Sequence, residues 1–335
     1  MSDPSDTSMH GPSGMVMRST DDPHCPVCGG ADSVRGGTMP AFEPLFRAAG
    51  RAFERCRRCG FVRMAEAPAP SRLADFYRAD RASAASARQD HERNLERFGS
   101  ILESIERHRR PGVLLDVGCS IGTSLVAARD RGWRPIGLEL STAAVAVARG
   151  QFEVDVRQST LAASGLEPGS IDAVLMHHTL EHVEAPDRVL GEILAVLKPG
   201  GVMYQSLPNH GSLKARLLGR HFGYGITDEH LSHFTARTLR RSVQRAGFEV
   251  RAIETWSYRQ DPRLLHDLCG RFGLERWLAR RCGVPAGEAL TVERYVAFLS
   301  RSRWAHFLCN RVWPQRLCRW LQLGEDLHLI ATKPG

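Results

Sequence analysis

The sequence predicts a doubly wound α/β fold, and three observations carry that prediction. Residues 113–122 read Val-Leu-Leu-Asp-Val-Gly-Cys-Ser-Ile-Gly, an apolar run that ends around Asp116 and breaks into small residues. A run of this kind is the pattern of a parallel strand buried on both faces. Gly118 and Gly122 let the chain turn sharply and approach a ligand closely. Residues 123–131 then carry Leu125, Val126 and Ala128 in a helical pattern, so the turn joins strand to helix. That corner is where open α/β sheets bind ligands. The third observation is Glu139, which follows a second apolar strand over 134–138. It stands about 20 residues past the turn, where such folds place a carboxylate on a ribose.

The glycine spacing narrows the choice of ligand. A dinucleotide site wants G-x-G-x-x-G, whereas Gly118, Ser120 and Gly122 stand at alternate positions. No Gly-Lys-Ser/Thr follows, which argues against a P-loop. The stretch resembles the first motif of the class I S-adenosylmethionine (SAM)-dependent methyltransferases, acid-x-Gly-x-Gly-x-Gly, with Ser120 in place of the middle glycine. The resemblance implies SAM as cofactor, with Asp116, Gly118, Cys119, Gly122, Glu139 and Leu140 around it. It implies further contacts from Thr160 and Leu161, where relatives present an acid to the adenine amino group, and from His177.

Taken in order, the rest of this region keeps the alternation. Ser141 caps a helix to 149, and 152–157 form the third strand. The fourth strand, 171–176, opens with Asp172 and runs into His177-His178-Thr179-Leu180-Glu181-His182-Val183. The Leu-Glu-His-Val part resembles the segment after the fourth strand of many SAM methyltransferases. A helix over 187–197 stops at Lys198-Pro199-Gly200-Gly201, and a fifth strand over 202–207 ends at Pro208-Asn209. A helix at 237–245 and a sixth strand at 248–254 follow. The last strand waits until 327–332. In the family it inserts antiparallel beside the sixth, which completes a seven-stranded sheet. The resemblance covers residues 110–255 and this last strand.

Ahead of the sheet, Cys25-Pro-Val-Cys28-Gly29 is answered by Cys56-Arg-Arg-Cys59-Gly60. Two C-x-x-C knuckles supply four thiolates, a closed tetrahedral shell for one structural zinc ion. The long stretch between them is expected to carry its own hairpin. The expected organisation is a disordered tail (1–22), a zinc-ribbon-like domain (23–64), a linker with N-terminal helices (65–109), the SAM-binding core (110–257), a helical insertion (258–323) and the last strand with the C-terminus (324–335). The tail is Ser-, Asp-, Pro- and Gly-rich, without the basic start and apolar core of a signal peptide. Residues 88–109 read as a helix whose Leu95, Phe98, Ile101, Leu102 and Ile105 face the sheet. Phe76 and Tyr77 resemble segments that close over the cofactor in this family, and with His233 they are assigned to the acceptor.

The insertion carries Cys269, Cys282, Cys309 and Cys318 at no metal-ligand spacing, so core positions are expected. Within it, 301–323 interleave arginines with Trp304, Trp313 and Trp320 and are broken by Pro314. This is the composition of helices lying in a membrane interface, or of a helical cap over the acceptor pocket. No apolar stretch is long enough to span a bilayer. The net charge of +8 permits phosphorylated substrates, lipid headgroups or nucleic acid without choosing among them. Nine cysteines point to a reducing compartment, so the expected location is cytoplasmic, with membrane association if 301–323 meets a bilayer.

The expected function is methyl transfer from SAM to an oxygen, nitrogen or carbon nucleophile of a small-molecule, sugar or glycan, or lipid-linked acceptor. The zinc-plus-methyltransferase layout resembles bacterial enzymes that modify such acceptors. An O–H or N–H nucleophile must lose a proton, and histidine suits that near neutral pH. His178, after the fourth strand, and His230, after the fifth, are the candidate bases, while His182 is expected to pack at a helix start. The rival is a zinc-containing protein that binds or modifies nucleic acid. Against it, His177 and His178 stand where base methyltransferases carry Asn/Asp-Pro-Pro-Tyr/Phe.

Overall fold

The structure, a computed structural model, describes residues 24–30, 32–34, 37–39, 42–48, 50–66, 84–222, 227, 229–256, 264–285, 288, 290, 292–302 and 320–335. The tail, Phe76 and Tyr77, and residues 303–319 of the expected interface segment lie outside these. Among the described residues no helix is long and apolar enough to cross a membrane.

Seven strands form the central sheet: β6 (Val113–Val117), β7 (Arg134–Glu139), β8 (Val156–Gln158), β9 (Ile171–His177), β10 (Leu197–Pro208), β12 (Glu249–Trp256) and β13 (Asp326–Thr332). Their order is β12-β13-β10-β9-β6-β7-β8. The strands from β10 to β8 pair in parallel, and β13 lies antiparallel between β10 and β12. The order reverses at β6, which is paired with both β9 and β7, so a crevice opens at the carboxyl end of β6.

Helix α1 (Ala84–Glu106) lies on one face of the sheet. Ile101, Leu102 and Ile105 are buried there against Leu114, Ala173, Leu175 and Val202, with Leu95 and Phe98 partly buried beside them. The stripe read from the sequence is therefore its packed side, each buried aliphatic contributing about 1.5–3 kcal/mol. Helices α2 (Thr123–Asp130), α3 (Thr142–Gln151), α4 (Pro186–Val196) and α6 (Ala236–Arg245) follow β6, β7, β9 and the loop beyond β10. The short helix α5 (Leu213–Leu218) directly follows β10. Leu190 and Ile193 of α4 and Leu239 and Val243 of α6 share a core with Val174, Met203 and Leu329. The described part of the insertion contains α7 (Leu264–Arg271), α8 (Glu275–Arg281) and α9 (Val292–Arg301). Cys269 is buried there with Leu278 and Tyr295, a core position as expected.

The N-terminal segment folds as a hairpin of β1 (Asp32–Val34) and β2 (Gly37–Met39) and an antiparallel sheet of β3 (Phe42–Ala48), β4 (Arg51–Cys56) and β5 (Val62–Met64). Its fourth strand is β11 (Ser232–His233), supplied by the loop after β10, with Ser232 opposite Arg63 and His233 opposite Val62. Phe61 meets the Phe234 ring with centroids 5.1 Å apart, and Phe61, Cys25 and Cys59 belong to the same buried cluster as Met176 and Leu207. The ribbon thus shares both a sheet and a core with the larger fold.

At the opposite end of β9, Asp172 accepts hydrogen bonds from Arg109 Nη2 (2.7 Å), Lys198 Nζ (2.7 Å) and the Val113 N–H (2.9 Å). Burial alone would raise its pKa, but Lys198, Arg109 and the backbone N–H outweigh it and hold the carboxyl down at about 2. A depressed folded pKa adds stability above the unfolded value and loses it as pH falls through the folded one. Asp172→Asn is therefore expected to cost about 2 kcal/mol at pH 7. The difference from the parent should close between about pH 4 and pH 2, as read by urea unfolding.

Candidate active site

The corner after β6 has the conformation its sequence demands. Gly118 and Gly122 sit at φ 82° and 83°, and a Cβ on Gly118 would lie 2.5 Å from Thr179 Oγ1. Ser120 also takes a left-handed φ of 51°, in the place where the family motif carries glycine. That conformation costs an L-residue about 1 kcal/mol. In return the Ser120 N–H points at Glu139 Oε2, 2.9 Å away. Glu139, the last residue of β7, also accepts the N–H groups of Leu140 (2.7 Å) and Ser141 (2.8 Å) through Oε1. Its carboxylate therefore ties the β6 turn to the β7 turn.

Asp116 lies beneath this corner, buried. Its Oδ2 accepts from the Ser124 hydroxyl, and its Oδ1 has no hydrogen-bond partner. Burial, opposed by Ser124 and reinforced by the Glu139 charge, pushes its carboxyl up to about 7. A buried acceptor left without a donor is costly unless a ligand supplies one. Cys119 is buried with its Sγ where a Cβ on Gly137 would stand, 2.5 Å away, so the thiol packs between β6 and β7. Thr160 Oγ1 accepts from the Ala163 N–H at 3.3 Å, and Leu161 is buried beside the end of β8.

The histidines stand at the carboxyl end of β9. His177 Nδ1 is hydrogen-bonded to Ser206 Oγ of β10, and burial together with the neighbouring His178 charge holds this ring neutral. His178 follows at φ 52°, a left-handed conformation of the kind that strained sites retain. Its Nδ1–H donates to Glu181 Oε1 at 3.2 Å, and its Nε2 lies 3.7 Å from Asp326 Oδ2. Burial works against its charge, but the Asp326 and Glu181 carboxylates outweigh that and push its pKa up to about 10. A charged imidazole has no lone pair to accept a proton, so the two flanking carboxylates oppose the base role expected for His178.

Beyond it, Glu181 and His182 form a 3₁₀ turn, Leu180–His182. His182 Nδ1 donates to the Glu229 carbonyl at 3.0 Å, and the His182 and His230 rings meet edge to face at 4.8 Å. His182 thus packs at the short turn ahead of α4, as expected, with its ring against His230. His233, assigned to the acceptor, is buried in β11, where its ring meets Phe53 at 5.2 Å and His210 at 5.4 Å.

Residues 77–253 match the protein family described as "Methyltransferase domain", just over half of the 335 residues. The chain belongs to this methyltransferase family. It is similar to a "probable S-adenosylmethionine-dependent methyltransferase" of Mycolicibacterium smegmatis, 32% identical over 138 residues, 41% of this chain and 52% of the relative. It is also similar to a ubiquinone biosynthesis O-methyltransferase of Azotobacter vinelandii, 38% identical over 122 residues, 34% of this chain and 52% of the relative. The chain thus spans about half the length of these curated relatives. Among solved structures, a SAM-dependent methyltransferase of Archaeoglobus fulgidus superposes with a TM-score of 0.47 at 17% identity, over 77% of this chain and 98% of that one.

In this methyltransferase the four knuckle cysteines come together. Cys25 and Cys59 Sγ are 3.7 Å apart, Cys28 and Cys56 Sγ 3.8 Å, and all four lie within 4.8 Å of one another as free thiols. A tetrahedral zinc with bonds of about 2.3 Å sets an S–S edge of about 3.8 Å. Gly29 and Gly60, at φ 64° and 80°, close each knuckle by donating to the Cys25 and Cys56 carbonyls. Sequence reasoning missed Asp326 and Ser206, the partners of the two histidines. Asp326 is brought in only when β13 pairs with β10, and nothing near it in the chain marks it.

Proposed function

We propose that this methyltransferase transfers the methyl group of SAM to a nucleophile, oxygen above nitrogen or carbon, of a small-molecule, sugar or lipid-linked acceptor. The observation that carries the reading is the paired carboxylates at the switch point. Asp116 offers an unpartnered buried oxygen, suited to an ammonium group, and Glu139 braces the glycine turn where a ribose would sit. Leu140, Thr160, Leu161 and His177 are the further contacts. Bound SAM supplies a methyl group activated by its positively charged sulfur. The chain's part is to orient the acceptor and take up its proton, since positioning supplies much of the rate of such a displacement. His178 contributes a fixed positive charge, and the Glu181, His182 and His230 cluster stands ready to receive the proton. Oxygen is preferred as target because several relatives are named O-methyltransferases. Turnover of SAM against pools of small molecules, sugars and lipid extracts tests the reading. Formation of S-adenosylhomocysteine only with nucleic acid present would favour the rival.

We also infer that Cys25, Cys28, Cys56 and Cys59 hold one structural zinc, supported by the Sγ spacing. Because β11 belongs to the same sheet, this ion would brace the loop that carries His230. Elemental analysis should find zinc in the purified chain, and a Cys25→Ser/Cys56→Ser variant should lose it and melt at lower temperature. Full zinc occupancy in that variant would place the ligands elsewhere.

A further inference from the structure

The turn after β9 and the loop before β11 bring one carboxylate and two imidazoles to a point that the knuckles do not reach. The donor atoms of Glu181, His182 and His230 all lie within 4.8 Å of one another. Each chain segment is held. The Leu231 N–H donates to the Glu181 carbonyl at 2.8 Å, so the residue after His230 is pinned to the turn that carries the other two. The next residues, Ser232 and His233, are fixed by pairing with β5.

One oxygen of Glu181 and one ring nitrogen of His182 are held from outside the cluster. A carbonyl oxygen can only accept, so the His182 bond to Glu229 places the proton on Nδ1 and leaves the Nε2 lone pair for a ligand. Metal-binding histidines are oriented by this kind of bond. Glu181 is 1% exposed, and its Oε1 is taken by His178. Its Oε2 is buried without a hydrogen-bond partner, a costly state for a carboxylate oxygen.

We propose that Glu181, His182 and His230 bind a divalent transition metal of the zinc class, at a site separate from the four cysteines. Two imidazoles and one carboxylate are the donor set of zinc sites that keep an open position, whereas the four thiolates form a closed one. Metal–ligand bonds of about 2.1 Å set donor separations of about 3.4 Å, so the three side chains close in by up to about 1.4 Å on binding. Three protein donors would leave one position of a tetrahedral ion open. Its occupant, an acceptor hydroxyl or carboxylate oxygen, rests on the function proposed above; the metal itself does not. With a metal bound, His230 would be a ligand rather than a free base, and the ion would lower the pKa of a coordinated oxygen.

The test counts metals on the full chain. After equilibration with zinc and removal of excess, elemental analysis should give about two zinc ions per chain, one for each donor set. The His182→Ala/His230→Ala variant should keep one and the Cys25→Ser/Cys56→Ser variant should keep the other. Cobalt separates them spectroscopically: the thiolate-to-cobalt charge-transfer band belongs to the cysteines, so it should survive in the histidine variant and vanish in the cysteine variant. One zinc per parent chain overturns the proposal without reference to any variant. Two zinc ions retained in a histidine variant that still binds SAM overturns it too. SAM binding by calorimetry reports the cofactor site separately, so failure of the metal and failure of the methyltransferase reading give different results.

Discussion

Glu139→Ala is expected to weaken SAM binding by about 2–4 kcal/mol, about 30- to 1000-fold in Kd. Two losses combine. The carboxylate would accept from the ribose hydroxyls, and removing it forfeits charge-assisted hydrogen bonds. It also accepts the Ser120, Leu140 and Ser141 N–H groups, which hold the glycine turn in its left-handed conformation. Glu139→Gln separates the two, since an amide oxygen still accepts from the turn but carries no charge. It should fall between the parent and the alanine variant. Calorimetry with SAM reads the effect, and unchanged affinity in a folded Glu139→Ala protein would remove Glu139 from the cofactor site.

The sheet was legible because its signals are local. Val113–Val117 is apolar apart from Asp116, and the strand it predicts is buried from Leu114 to Val117. Glu139 ends the second strand as the spacing from the turn predicts, because one helix and one short strand span that interval. Boundaries slipped where the backbone takes an unusual conformation. The third strand was expected over 152–157, but Glu153 adopts φ 51° and pairing begins only at Val156. The helix expected to reach 197 ends at Val196, and Leu197 already pairs with Ile171 before the bulge that Gly200 permits.

The site was legible by residue type and not by role. His177 ends β9 with His178 next to it, and His230 lies on the loop ahead of β11, yet what each can do is set by partners distant in the chain. Asp326 favours the charged form of His178, and Ser206 engages His177. Neither partner has a spacing or motif to announce it, since strand pairing alone brings it near. The knuckles show the contrast. Their ligands are paired within four residues each, so the sequence names them, but it does not show that β11 extends their sheet.

His230→Ala is expected to lower kcat by about 10²–10⁴ while SAM affinity stays within a few-fold of the parent. The separation follows from the topology. Asp116 and Glu139 end β6 and β7, whereas His230 stands on the loop ahead of β11 and meets the His182 ring. Removing its imidazole takes one of the three groups that converge on Glu181 and leaves the cofactor corner untouched. His178→Gln differs in kind. It strips the shared cation from Glu181 and Asp326, both buried, so its loss should register first as stability. Rate and melting temperature measured together on the two variants separate the roles. A large rate loss at normal stability in His230→Ala places the cluster on the proton's path. Near-normal turnover there would mean that the acceptor nucleophile loses no proton to this edge, as for a carboxylate, and the cluster would then have no part in the rate.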